Sequence, residues 1–243
     1  MRKYFILVFL LFVFGCSDTK LETPETEGEK LQILYSNAME LVRDKDFVDA
    51  AILFEDIERQ YPYSKWSNQA QLMTAFCYYK SQMYDDSLDA LERFIALYPG
   101  SKKISYAYYL RALNYFEQIR DVERDQSMTA KSKQAFNEVI NKYPESEFTE
   151  DAYAKIDIIN DRLAAKEIEI ARFYQFNSQW IAAINRYNGI LEQYSTSIYT
   201  ILEQYSTSIY TEESLFRLVE IYFSLGLYEE AKRYASTLGH NFP

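Results

Sequence analysis

The chain is poor in the residues that all-β folds use at their turns, with six glycines and five prolines among 243 residues. Its apolar residues recur at helical rather than alternating spacing, so a sandwich or barrel is excluded and an all-α fold is expected. Cysteine is scarcer still. Cys16 and Cys77 are the only two, and if the first carries lipid no disulfide framework exists and stability must come from packing alone. Histidine occurs once, as His240, without a cysteine or carboxylate at ligand spacing, so neither a metal site nor a cofactor is expected. Cys77 lies in an apolar stretch with no histidine partner, and there is no nucleophile elbow, P-loop or dinucleotide fingerprint, which argues against an enzyme. Positive charge is also short: 26 basic residues against 36 acidic ones leave −10. Such a surface repels phosphate, so nucleic acid is excluded as a partner and proteins are the expected class.

Only one hydrophobic run is long. Arg2 and Lys3 precede the apolar stretch Tyr4 to Phe14, and Gly15-Cys16 closes it, which reads as a secretory signal over residues 1–15. Eleven residues at ~1.5 Å each cover about half of a ~30 Å hydrocarbon core, too little for a permanent span. Val13-Phe14-Gly15-Cys16 resembles a bacterial lipobox, which makes Cys16 the expected lipid-attachment residue. One acyl chain anchors marginally, whereas two or three hold a protein at the membrane. Ser17 after the cysteine resembles the signal for outer-membrane delivery, which would put the protein on the periplasmic face. Residues 16–30 are then expected to be a flexible tether, because Ser17 to Lys30 holds a single aliphatic residue among seven charges and cannot bury enough surface to offset chain entropy.

From residue 31 onward the chain is repetitive. Five segments begin at Phe47, Tyr84, Thr129, Trp180 and Tyr228, and each reaches a closing aromatic 14 positions on: Tyr61, Tyr98, Tyr143, Tyr194 and Phe242. The third position after each start is small (Ala50, Ser87, Ser132, Ala183, Ala231). The seventh is mostly large (Phe54, Leu91, Phe136, Tyr187, Ala235), and the tenth is aliphatic or aromatic (Ile57, Phe94, Val139, Ile190, Leu238). At ~100° per residue these offsets fall within an arc of about 80°, so each segment is an amphipathic helix. Second helices are expected between them, over Leu31 to Arg43, Trp66 to Lys80, Ile104 to Arg120, Glu150 to Gln175 and Glu212 to Leu225. Tyr-Pro-x-Ser ends three of the repeat helices, since proline cannot continue the ladder and serine caps the next helix. Helix-turn-helix units of this kind are similar to tetratricopeptide repeats. A right-handed solenoid of about five units over residues 31–243 is expected, in which no unit stands alone and a concave face offers the binding surface.

One segment breaks the rhythm. ILEQYSTSIYT occurs twice in direct succession, at residues 190–200 and 201–211. Tyr205 to Phe242 spans 37 residues, as does Tyr61 to Tyr98, so the extra copy in the duplicated region 190–211 falls between two otherwise regular units.

Fixed polar and aromatic positions carry a closer resemblance: Tyr78-Tyr79-Lys80, Glu92-Arg93-Phe94-Ile95 with Tyr98-Pro99, Tyr109-Leu110-Arg111-Ala112-Leu113, and Asp121-Val122-Glu123-Arg124-Asp125-Gln126. Asp161-Arg162-Leu163-Ala164 with Glu167, Tyr174, Trp180 and Asn185-Arg186 extend it. Across nearly the whole chain the sequence resembles the BamD family of lipoproteins in the outer-membrane β-barrel assembly machinery. The resemblance implies a scaffold whose N-terminal repeats engage unfolded outer-membrane protein precursors and whose C-terminal repeats dock the insertase BamA alongside other machinery subunits. The family continues into a further helix beyond Phe242-Pro243, so an apolar face is expected at the last repeat. Tyr78, Tyr79, Arg111, Asp121, Arg124 and Asp125 are the candidate partner-binding residues. For Arg111 and the 121–125 cluster the competing reading is charge pairing that fixes a long loop. For Tyr78 and Tyr79, as for Tyr106, Tyr108 and Tyr109, it is interhelix packing. A carbohydrate-binding lipoprotein on a similar scaffold is the alternative function, and it predicts exposed tryptophan platforms at Trp66 and Trp180.

Overall fold

The structure, a computed structural model, describes residues 26–119, 126–194 and 209–242. Ten helices lie in these residues: α1 Glu27–Asp44, α2 Phe47–Gln60, α3 Ser67–Lys80, α4 Tyr84–Leu97, α5 Ile104–Glu117, α6 Gln126–Lys142, α7 Thr149–Phe176, α8 Trp180–Tyr194, α9 Ile209–Ser224 and α10 Tyr228–Asn241. They stack as five consecutive pairs in a tetratricopeptide solenoid. Each second helix also packs on the first helix of the next pair.

The turns explain the regularity. Within four of the pairs one residue is left-handed: Lys45 (φ 68°), Gln82 (61°), Ser178 (57°) and Gly226 (74°). The next amide then returns to the carbonyl five residues back, Asp46 to Leu41, Met83 to Tyr78, Gln179 to Tyr174 and Leu227 to Tyr222, at 2.9 Å in every case. This is the Schellman arrangement, which satisfies carbonyls that a helix end leaves unpaired. Between pairs, the amides of Ser64, Ser101 and Ser146 donate to Tyr61, Tyr98 and Tyr143 at 3.0 Å.

These serines do not cap the following helix directly, as the sequence suggested. The cap positions are Trp66, Lys103 and Phe148. Each serine sits earlier, and its Oγ accepts from the amide two or three residues on, Ser67 (3.1 Å), Lys103 (3.2 Å) and Phe148 (3.4 Å). The first helix also starts four residues before the expected Leu31. Thr26 Oγ1 accepts from the Glu29 amide at 3.3 Å while Glu29 Oε2 accepts from the Thr26 amide at 2.7 Å. This capping box outweighs the polar composition that marked residues up to Lys30 as tether. Cys16 and most of that tether lie outside the described residues.

The repeat template is the core. Ala50, Ser87, Ser132 and Ala183, Phe54, Leu91, Phe136 and Tyr187, and Ile57, Phe94, Val139 and Ile190 are all 0% exposed. The small residue allows close approach of the paired helix, and Ser87 Oγ donates to the Ala75 carbonyl at 2.8 Å. In the fifth unit Ala231 is buried, Ala235 is exposed and Leu238 is only partly covered. Among the described residues, no helix packs on the far side of α10.

At 28 residues, or ~42 Å, α7 serves two units. Ala152, Ile156 and Ile159 join the α5–α6 core, and Ala164, Ile168 and Ala171 join the α8–α9 core. The first sequence copy closes α8 with Ile190 in the core, and Thr211 of the second copy is a buried residue in the first turn of α9. Residues 195–208 between them lie outside the described residues.

Candidate functional site

The first helices of neighbouring units touch one another, α3 with α5 and α7 with α9, so their shared face is the inner side of the solenoid. Helical spacing puts Phe76, Tyr79 and Lys80 of α3 there, followed by Tyr106, Tyr109 and Phe116 of α5. Tyr79 lies 6.3 Å from the Tyr84 ring, and Lys80 Nζ stands 5.7 Å from Phe76 and 5.8 Å from Tyr79. Tyr106 and Tyr109 both meet Phe148, at the start of α7, with centroids 5.3 and 5.0 Å away. The Tyr109 hydroxyl donates to Asp151.

Burial dominates the chemistry of these phenols. It pushes Tyr79 up to about 12, with Glu117 and Tyr84 adding to the effect. Tyr106 also rises to about 12, through burial first and then its neighbours Tyr79 and Cys77. Tyr109 is raised by burial and by its bond to Asp151. Beside Lys80, the face therefore presents un-ionised phenol hydroxyls on an aromatic floor, suited to holding apolar and aromatic segments by stacking and hydrogen bonding.

The sequence-selected residues separate in space. Tyr78, one position from Tyr79, points to the preceding unit and donates to Glu55 Oε1 at 2.7 Å, so it ties α3 to α2 while Tyr79 faces α5. Arg111 pairs with Glu138 of α6 and lies 4.7 Å over the Tyr108 ring. Lys142 Nζ caps the same ring at 4.5 Å and donates to its hydroxyl at 3.2 Å. Arg111 thus locks the third helix pair from within. Asp121, Arg124 and Asp125 lie outside the described residues. Sequence reasoning did not single out Phe148, Asp151 or Lys155. Their proximity to α5 depends on where α7 lies, and the only local cue was the spacing of Asp151 and Lys155 on one helical face.

Cys77 is fully buried, and burial pushes its thiol up to about 12. Among the described residues no group of three or more His, Cys, Asp or Glu side chains could hold a metal ion, and no helix is long and apolar enough to cross a membrane. Trp66 lies against Tyr35 with ring centroids 4.6 Å apart, and Trp180 packs on the α8–α9 core. Trp66 remains 37% exposed beside Tyr35, whereas Trp180 is partly covered.

A family described as outer membrane lipoprotein, YfiO, matches residues 28–238. An outer membrane protein assembly factor BamD from Caulobacter vibrioides is 41% identical over 232 residues, covering 95% of this chain and 72% of that one. The BamD of Rickettsia prowazekii is 38% identical over 238 residues, 98% and 90% of the two chains. A solved tetratricopeptide protein from Thermus thermophilus covers 88% of this chain and 92% of its own at 16% identity, with a TM-score of 0.41, too loose a superposition to build on. With the match running through all five helix pairs, the chain belongs to the YfiO family of outer membrane lipoproteins.

Proposed function

We propose that the protein is a non-catalytic scaffold subunit of the outer-membrane β-barrel assembly machinery, held on the periplasmic face of the outer membrane by acyl chains on Cys16. In this reading residues 1–15 are removed as a signal, Cys16 and the residues up to Thr26 form the anchor and tether, and the solenoid binds proteins. Its inner face holds unfolded barrel precursors, and its C-terminal units dock BamA. The observation that carries the reading is the 41% identity to a named assembly factor across 95% of this chain. The tyrosine-lined inner face supports it, because stacking surfaces of this type accept aromatic-rich segments without demanding one sequence. The acidic chain, −10 overall, is a poor ligand for anionic lipid, so membrane attachment falls to the acyl chains.

Affinity purification of the tagged chain from detergent-solubilised envelopes tests the partner assignment. Recovery of BamA is expected, and a preparation that never contains BamA overturns it. Growth with labelled palmitate tests the anchor. Label should be lost and the protein should leave the membrane fraction in Cys16→Ser, and retention of label in that variant sinks the anchor.

A further inference from the structure

Most arginines of the helical body are neutralised where they stand: Arg59 by Asp56, Arg111 by Glu138, Arg172 by Glu213, Arg186 by Glu167, Arg217 by Glu220 and Arg233 by Glu230. Two cations of α7 are arranged differently. Lys155 Nζ lies 5.1 Å, and Arg162 Cζ 5.7 Å, from the centroid of the same ring, Phe116 of α5. Seven positions apart, they leave one face of α7 about two turns from each other, yet both heads converge on one aromatic surface. Neither forms an ion pair within 4.0 Å with a carboxylate of the described residues. Asp151, one turn before Lys155, is engaged by the Tyr109 hydroxyl.

The convergence has an electrostatic cost, because like charges repel and a ring attracts an exposed cation only modestly. In a chain with ten more acidic than basic residues, these two cations stand without a direct carboxylate partner, Asp157 and Asp161 of the same helix lying beyond ion-pair distance. The platform beneath them is firm: Phe116 packs on the fully buried Phe136 at 6.1 Å. Between the two cations on the same face of α7, Ile158 remains 39% exposed and offers an apolar contact.

We propose that Lys155, Arg162 and Phe116 form a carboxylate clamp on the inner face, which binds an extended protein segment carrying acidic side chains next to an apolar residue. Alternate side chains of an extended segment point the same way at ~7 Å spacing, so two acidic residues two positions apart can meet the two heads while the next side chain on that same side, two positions further on and apolar, lies against Ile158. The clamp depends on this geometry and not on which partners the machinery supplies.

The test uses the mature full-length protein in detergent and fluorescently labelled peptides, blocked at both ends, in which Glu, Glu and Phe occupy every second position with Ser between them. Binding should weaken roughly tenfold in Lys155→Gln/Arg162→Gln and by a smaller factor in each single variant. It should fall as salt rises, and it should be unchanged in Lys232→Gln, which removes an exposed cation of α10. The same peptide with Gln for Glu should bind no better than the double variant binds the original. Equal binding of the Glu and Gln peptides overturns the proposal. A double variant that melts earlier yet binds normally also overturns it, since the cations would then serve only to join α5 to α7. A peptide that binds only with a free C-terminus overturns the assignment to acidic side chains.

Discussion

The seventh position of each repeat provides a direct measure of what holds the solenoid together. Phe136 is fully buried among the α5–α6–α7 contacts, with Phe116 edge-on at 6.1 Å and Tyr109 at 6.2 Å. Truncation to alanine removes a transfer contribution of ~1.5 to 3 kcal/mol and leaves a cavity that the surrounding helices cannot close. Two aromatic contacts, worth ~0.5 to 1.5 kcal/mol each, are lost as well. These terms overlap, and the expected total is the ~3 to 5 kcal/mol typical of a buried Phe→Ala change. Phe216 in α9 undergoes the same chemical change from a 48% exposed position, and Phe216→Ala should cost less than about 1 kcal/mol. Urea denaturation followed by helical circular dichroism compares the two through midpoint and slope. A loss below about 1.5 kcal/mol for Phe136→Ala, or equal losses for the two variants, would refute the view that the repeat template is the core.

Two glycines should respond in opposite directions to alanine in thermal melts. Gly226 has φ 74° with nothing within 4 Å of an added Cβ, so Gly226→Ala should cost about 1 kcal/mol through backbone strain alone. Gly189 lies inside α8, also with open space, and Gly189→Ala should stabilise by about 0.5 to 1 kcal/mol; matching signs would discredit both assignments. Stability should also fall as pH rises from about 9 towards 12, with the tyrosinate absorbance rising late and together with unfolding. Burial raises Cys77 from 9.0, and Tyr79, Tyr106 and Tyr187 from 10.0, to about 12, so the unfolded chain loses these protons first and alkali pulls the equilibrium towards it. A flat stability profile across that range would contradict the burial of these groups. Deleting residues 201–211 places Tyr194 six residues before the threonine of α9, the spacing of Tyr143 to Thr149, and should leave the melting temperature unchanged or higher. A clear drop would mean that the second copy carries structure of its own.

Much of this fold was legible in the chain because the forces that specify it are local and periodic. The offsets 3, 7 and 10 in four successive repeats pick out twelve residues, and every one of them is wholly buried, since a helix of fixed pitch turns sequence spacing into a face. The two-unit length of α7 was visible in its unbroken helical pattern. Element ends were less so: the capping box that starts α1 at Glu27 depends on one hydroxyl and one carboxylate, and composition hides such a pair.

What the sequence determined by itself was therefore the class of fold, the units and which side of each helix is buried, because these follow from interactions within a few turns. Which residues lie on the inner face of the solenoid was decided only by the tertiary structure. Tyr78 and Tyr79 are neighbours of one type, yet the first is tied to Glu55 behind it and the second opens onto the inner face. Arg111 is neutralised by Glu138, 27 positions away, while Lys155 and Arg162 meet on Phe116 about forty residues earlier. The charge and exposure of a side chain depend on the helix stacked against it, and the rotation and stagger of that helix arise from packing between units, which no window of sequence contains.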